Sequence, residues 1–167
     1  MSAFVDGLAQ FFVPTHLLAV VAIGLLPGQG TRRMVVPLAL FALGLLAGSF
    51  AIALAIRETP SALTLLGIAA AAAIVVAAAV PLPPILKNTL TLIIGTALAF
   101  NSPPQAITIP SAVATQVGFG GAALTAFGLI AFVAARADRP WQRVAMRIVG
   151  SWIAASAILV LALRLAR

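Results

Sequence analysis

The chain alternates between long apolar runs and short polar interruptions. A bilayer core of roughly 30 Å takes about 20 helical residues to cross. Six runs of about that length predict helices near Ala3–Leu26, Met34–Ile56, Ser61–Val80, Pro84–Phe100, Ser111–Ala135 and Trp141–Leu165. Polar or proline positions interrupt the first, fourth and sixth. The connections between runs are short, and no stretch remains for a soluble domain or long linker. The expected fold is all-α, a single transmembrane domain over residues 1–167 with about six membrane helices.

Composition sharpens this picture. Hydrophobic residues make up 63% of the chain and charged residues 8%, against roughly 25% charged in soluble domains. Cysteine is absent, which excludes disulfides and thiolate metal sites. The net charge of +7 does not point to nucleic acid, because the basic residues lie between apolar runs. The segment from Met1 to Gln10 carries Asp6 and no Lys or Arg, so no positively charged secretory leader is expected there.

Charge also predicts orientation. With six spans, Arg32, Arg33, Lys87, Arg136, Arg139, Arg143 and Arg147 fall on one side and Arg57, Arg164 and Arg167 on the other. The positive-inside rule puts the first group in the cytoplasm and both termini outside. The expected location is a bacterial inner membrane, multi-pass, with periplasmic termini. Arg143 and Arg147, one turn apart, can snorkel to the headgroups while Trp141 anchors at the interface.

Glycine spacing suggests where helices meet. Gly44 and Gly48 form a GxxxG stripe, and Gly118 and Gly121 offer another small surface in the fifth run. Such stripes let backbones approach closely. The partner helix can belong to the same chain, to another membrane protein or to a second copy.

Polar groups inside a membrane are costly and need a reason. His16, the only histidine, follows Pro14 and Thr15 inside the first run. It is either a functional group (proton relay, metal ligand or substrate contact) or a neutral imidazole bonded to a neighbouring helix. Asn101-Ser102-Pro103-Pro104-Gln105 follows the short fourth run. Either an ordinary outer loop starts there, or the backbone leaves helical geometry below the surface, which is tolerated only inside protein or along a wet cavity. His16 lies eleven residues before Pro27 and Asn101 fourteen after Lys87. That places them roughly 16 Å and 21 Å above one interface, and a shared site at comparable depth is expected. Enzyme signatures such as G-x-S-x-G, a Walker loop or H-E-x-x-H are missing. No enzyme activity and no cofactor are expected.

The stretch His16-Leu17-Leu18-Ala19-Val20-Val21-Ala22-Ile23-Gly24-Leu25 resembles the first-helix signature of the HupE/UreJ family. These are hydrogenase- and urease-associated membrane proteins of about six helices, regarded as nickel or cobalt permeases. The family pattern, roughly H-P-x-x-G-x-D-H then L-L-A-M-x-A-x-G, retains its last histidine as His16. Thr15 stands at its Asp, and Ala9 and Gln10 at its His-Pro. The second motif, about F-H-G-x-A-H-G-x-E, falls on Phe100 to Thr108. Phe100 matches, Asn101 and Gln105 stand for the histidines, and Thr108 for the Glu.

The resemblance implies a substrate site at His16, Thr15, Asn101, Gln105 and Thr108, with His16 the remaining metal ligand. Nickel and cobalt favour imidazole and carboxylate donors, whereas amides and hydroxyls suit a neutral or weakly solvated solute. Two functions follow as expectations. One is a small permease for a metal ion or other small solute. The other is a non-transporting accessory or scaffold subunit that packs against a partner protein.

Overall fold

The computed structural model describes residues 2–28, 34–54, 62–104 and 108–166. Within them the fold is all-α. Its helices are α1 (Ser2–Phe11), α2 (Pro14–Gly28), α3 (Val35–Ala53), α4 (Ala62–Ala78), α5 (Pro84–Phe100), α6 (Ile109–Ala135) and α7 (Pro140–Leu165). Proline recurs in their first turns: Pro14, Pro37, Pro84, Pro110 and Pro140. A first-turn amide has no intrahelical acceptor, so proline starts these helices without losing a bond.

The expected first span is two helices, not one. α1 and α2 meet at a 65° bend. Val13 precedes Pro14, and the ring of a proline disfavours helical geometry in the residue before it. The chain closes α1 with short-range bonds, Phe12 N–H to Ala9 C=O at 3.1 Å and Val13 N–H to Gln10 C=O at 3.4 Å.

Among the described residues three helices are long and apolar enough to cross a membrane, α3, α6 and α7, or four if the bent pair counts as one span. α4 and α5 have 17 residues each, the short end of the spanning range of about 17–25. Six crossings are thus a finer statement than helix length and composition give. The outer surface is compatible with a bilayer. Leu43, Leu46, Phe50, Ile85, Trp152 and Leu159 are all exposed, while His16, Lys87, Thr91, Ser102 and Thr115 are buried. Water would reverse that arrangement.

α2 is the core helix. Ala19, Val20, Ala22, Ile23 and Leu26 are fully enclosed, and α2 packs on α4, α5, α6 and α7. A helix apolar on every side belongs in such a position. The most extensive pairings around it are α3 with α5, α4 with α7 and α1 with α6.

Close backbone approach explains these pairings. A Cβ on Gly44 would lie 2.5 Å from the Leu92 carbonyl oxygen, and one on Gly48 would lie 2.6 Å from that of Thr96. The GxxxG stripe of α3 is therefore occupied by α5 of the same chain. Gly118 of α6 is pressed against the Phe4 carbonyl of α1, and Gly7 of α1 against the Thr115 carbonyl of α6. Gly121 departs from the expectation: it points outward, and a Cβ there would meet nothing within 4 Å among the described residues.

The helix ends sort to two ends of the bundle. At one, α2 finishes while α3 and α5 begin, with Pro27, Pro37 and Pro84 around one recess. α4 also ends there and α7 begins, because Arg147 Nε donates to the Ala77 carbonyl at 3.0 Å. Val80 N–H bonds to Val75 C=O at 3.3 Å as α4 closes, with Ala79 in the left-handed region at φ 53°. At the opposite end, Gln116 near the start of α6 donates to Ser49 Oγ near the end of α3 at 3.2 Å. Of the described cations, Lys87, Arg136, Arg139, Arg143 and Arg147 belong to the first end, and Arg164 alone to the second.

Candidate functional site: two helix breaks joined at His16

The α1–α2 break and the C-terminal end of α5 arrive at the same place. The α1–α2 bend exposes the last carbonyls of α1, and α5 stops at Phe100, where prolines follow. His16, in the first turn of α2, lies between them. Its Nδ1 is 3.0 Å from the Gln10 carbonyl oxygen and its Nε2 is 3.3 Å from Ser102 Oγ. A carbonyl can only accept, so Nδ1 carries the proton in the neutral ring. Nε2 then offers its lone pair, and the Ser102 hydroxyl donates to it.

The pair is enclosed. His16 is 5% exposed and Ser102 fully buried. The Phe119 ring of α6 stands edge-on to the imidazole, with centroids 5.4 Å apart at 77°. Gln10 reaches across the same gap, its Nε2 3.5 Å from the Pro103 carbonyl oxygen. Among the described residues, Gln10 Oε1 is buried without a hydrogen-bond partner, as is Gln116 Oε1 on α6. Unsatisfied buried amide oxygens are rare and costly.

The expected site residues fare differently. His16 is at the centre, with Thr15 beside it and half-buried. Asn101 is next to the pair in sequence, but its amide nitrogen donates to the Ala97 carbonyl of its own helix at 2.9 Å. Thr108 is exposed and acts as the N-cap of α6, its Oγ1 accepting from Ser111 N–H at 3.4 Å. Capping fixes that hydroxyl at a helix start, so the structure does not bring Thr108 to His16. Gln105 lies outside the described residues.

Ser102 and Phe119 were not singled out by sequence reasoning, nor was the Ser49–Gln116 pair. The signal for Ser102 was present: it precedes Pro103 in a segment already marked as broken. For Phe119 there was none, because an aromatic residue in an apolar helix looks like any core residue.

Among the described residues no three His, Cys, Asp or Glu side chains gather where they could hold a metal ion. The groups around His16 are a hydroxyl, amides and backbone carbonyls. Comparison of the chain with known protein families, curated proteins and solved structures returns no match.

Proposed function

We propose that the protein is a small permease-like membrane protein, a divergent relative of the HupE/UreJ family, with its substrate site at the joined breaks around His16. The observation that carries this reading is the meeting of the broken α1–α2 pair and the end of α5 at a buried histidine–serine pair. Interrupted helices leave backbone groups that need partners, and in membranes they occur where a chain lines a cavity or holds a solute. The unsatisfied amide oxygen of Gln10, whose Nε2 reaches toward the Pro103 carbonyl beside Ser102, adds recognition capacity. The donors around His16 suit a small polar solute better than a tightly held divalent metal, which favours several imidazoles or carboxylates.

In this reading the chain crosses a bacterial inner membrane six times, with α1 and α2 forming one broken span and both termini periplasmic. The concentration of cations at one end of the bundle supports that orientation by the positive-inside rule. His16 and Ser102 then lie toward the outer half.

The second reading is an accessory or scaffold subunit that has lost transport and packs against a partner. The outward-facing small surface at Gly120 and Gly121 favours it. Uptake into vesicles containing the purified protein separates the two. Nickel, cobalt and a panel of small polar solutes are offered, with His16→Ala as control. Uptake of any of them that is lost in the variant supports the permease; equal fluxes for both proteins across the panel would end it.

A further inference from the structure

α6 and α7 are consecutive helices, yet neither is the other's main neighbour. α6 packs on α1, α2 and α3, and α7 on α4 and α2. Between them, at the cation-rich end, lies a groove of about 440 Å³. Leu25 of α2 forms its floor, and the small side chains of Ala134, Ala137 and Ala145 keep it open. It follows Leu129–Ala137 of α6 and Trp141–Val149 of α7, about 12 Å along each helix axis. Its lining is apolar except at the mouth, where Gln142 and the Trp141 indole stand.

We propose, on the reading that α6 and α7 cross a membrane, that this groove holds one acyl chain of an anionic phospholipid, with its phosphate against Arg136 and Arg139. An unfilled apolar gap forfeits contacts along its whole lining, and water would find few polar partners there. A chain lying parallel to the helices fits the groove's length. Charge then selects the headgroup. Arg136 and Arg139 stand on either side of Ala137 and Asp138 in the connection, and both are exposed. Arg136 Cζ lies 3.7 Å from the centroid of the Phe132 ring. Stacking uses the face of the guanidinium, whereas a phosphate is bound by the donors in its plane. Gln142 Oε1 accepts from Arg139 N–H at 3.0 Å, which holds Arg139 at the mouth. Arg143 and Arg147 add positive charge on the α4 side of α7, where Arg147 bonds to Ala77. Against these arginines the described residues of this end set the carboxylate of Asp138, which has a partner already. Trp141 at the mouth suits the headgroup level.

The two tryptophans of the chain supply the test, because bromine on a lipid chain quenches an indole that it touches. Trp152→Phe leaves Trp141 as the reporter at the mouth. The protein is reconstituted in phosphatidylcholine vesicles that contain a rising share of phosphatidylglycerol or phosphatidylcholine brominated near the glycerol end of the chains. Half-quenching of Trp141 is expected at about a fivefold lower share of the brominated phosphatidylglycerol, the preference one arginine contributes at an anionic surface. Ala145→Phe fills the groove and should remove that preference, as should Arg136→Gln combined with Arg139→Gln. If Ala145→Phe does not fold, Ala137→Leu takes its place. Equal quenching by the two lipids overturns the proposal, since any lipid would then fill the groove. A preference that survives the filled groove overturns it too, because anionic lipid would only be gathering around the arginines; so does one that survives loss of both arginines. Trp152, 73% exposed and outside the groove, checks the membrane reading in Trp141→Phe with phosphatidylcholine brominated at mid-chain. No quenching of Trp152 would end that reading and the proposal with it. Quenching of Trp152 but not of Trp141 would end the proposal alone, with protein instead of lipid in the groove.

Discussion

Gly44 and Gly121 sit in equally apolar stretches, yet a methyl group added to each meets different surroundings. At Gly44 it would press on the backbone of α5, which cannot swing aside as a side chain can. Gly44→Ala should cost about 1–3 kcal/mol, the range for overpacking a close contact. Gly121→Ala should be neutral or stabilising by up to about 1 kcal/mol, the difference in helix propensity between the two residues. Unfolding in mixed detergent micelles measures both; similar effects for the two would contradict the assignment of Gly44 to the α3–α5 contact. Ala79 gives the opposite case. Its φ of 53° is a conformation that costs an ordinary L-residue about 1–2 kcal/mol. Glycine avoids that cost but loses more entropy on folding. Ala79→Gly should therefore stabilise α4 by about 0.5–1 kcal/mol in the same assay.

At the scale of elements, one side chain ties the break between α1 and α2 to the end of α5. His16 satisfies a carbonyl at the end of α1 and meets the hydroxyl that follows α5. His16→Ala should cost about 1–3 kcal/mol, because it leaves both groups buried without that partner. Ser102→Ala should cost less in the His16→Ala background than alone, with a coupling of at least about 0.5 kcal/mol. Additive effects would show that the two do not interact. Hydropathy made most helices legible: Pro84–Phe100 was expected and is α5 unchanged, and the other boundaries after the first run moved by only a few residues. The first run did not hold as one helix. Pro14 was visible, but hydropathy measures how apolar a segment is and carries no direction, so a 65° bend leaves no trace in it. The site was legible only in outline. Comparable depth and adjacent prolines suggested that His16 and the Asn101–Gln105 segment share a site. Which side chain makes the contact depends on helix rotation, and that brought Ser102 to the ring while Asn101 turned back to Ala97.

For the whole molecule, contacts link helix ends of like depth, and five described cations share one end. The proposed orientation predicts that Arg139→Cys is shielded from an impermeant thiol reagent outside intact cells and labelled after permeabilisation. The absence of native cysteine makes such single-cysteine readings clean. The same chemistry reaches the central claim, that the joined breaks form a site a solute can enter. Ser102 is fully buried, so a cysteine there reacts only if the site opens to water. The decisive measurement is labelling of Ser102→Cys by a small thiol-reactive cation added from outside, beside exposed Ile109→Cys and core Phe127→Cys as references. The permease reading predicts that Ser102→Cys is labelled more slowly than Ile109→Cys but far faster than Phe127→Cys. Labelling no faster than at Phe127→Cys would mean a dry, closed junction and would contradict it.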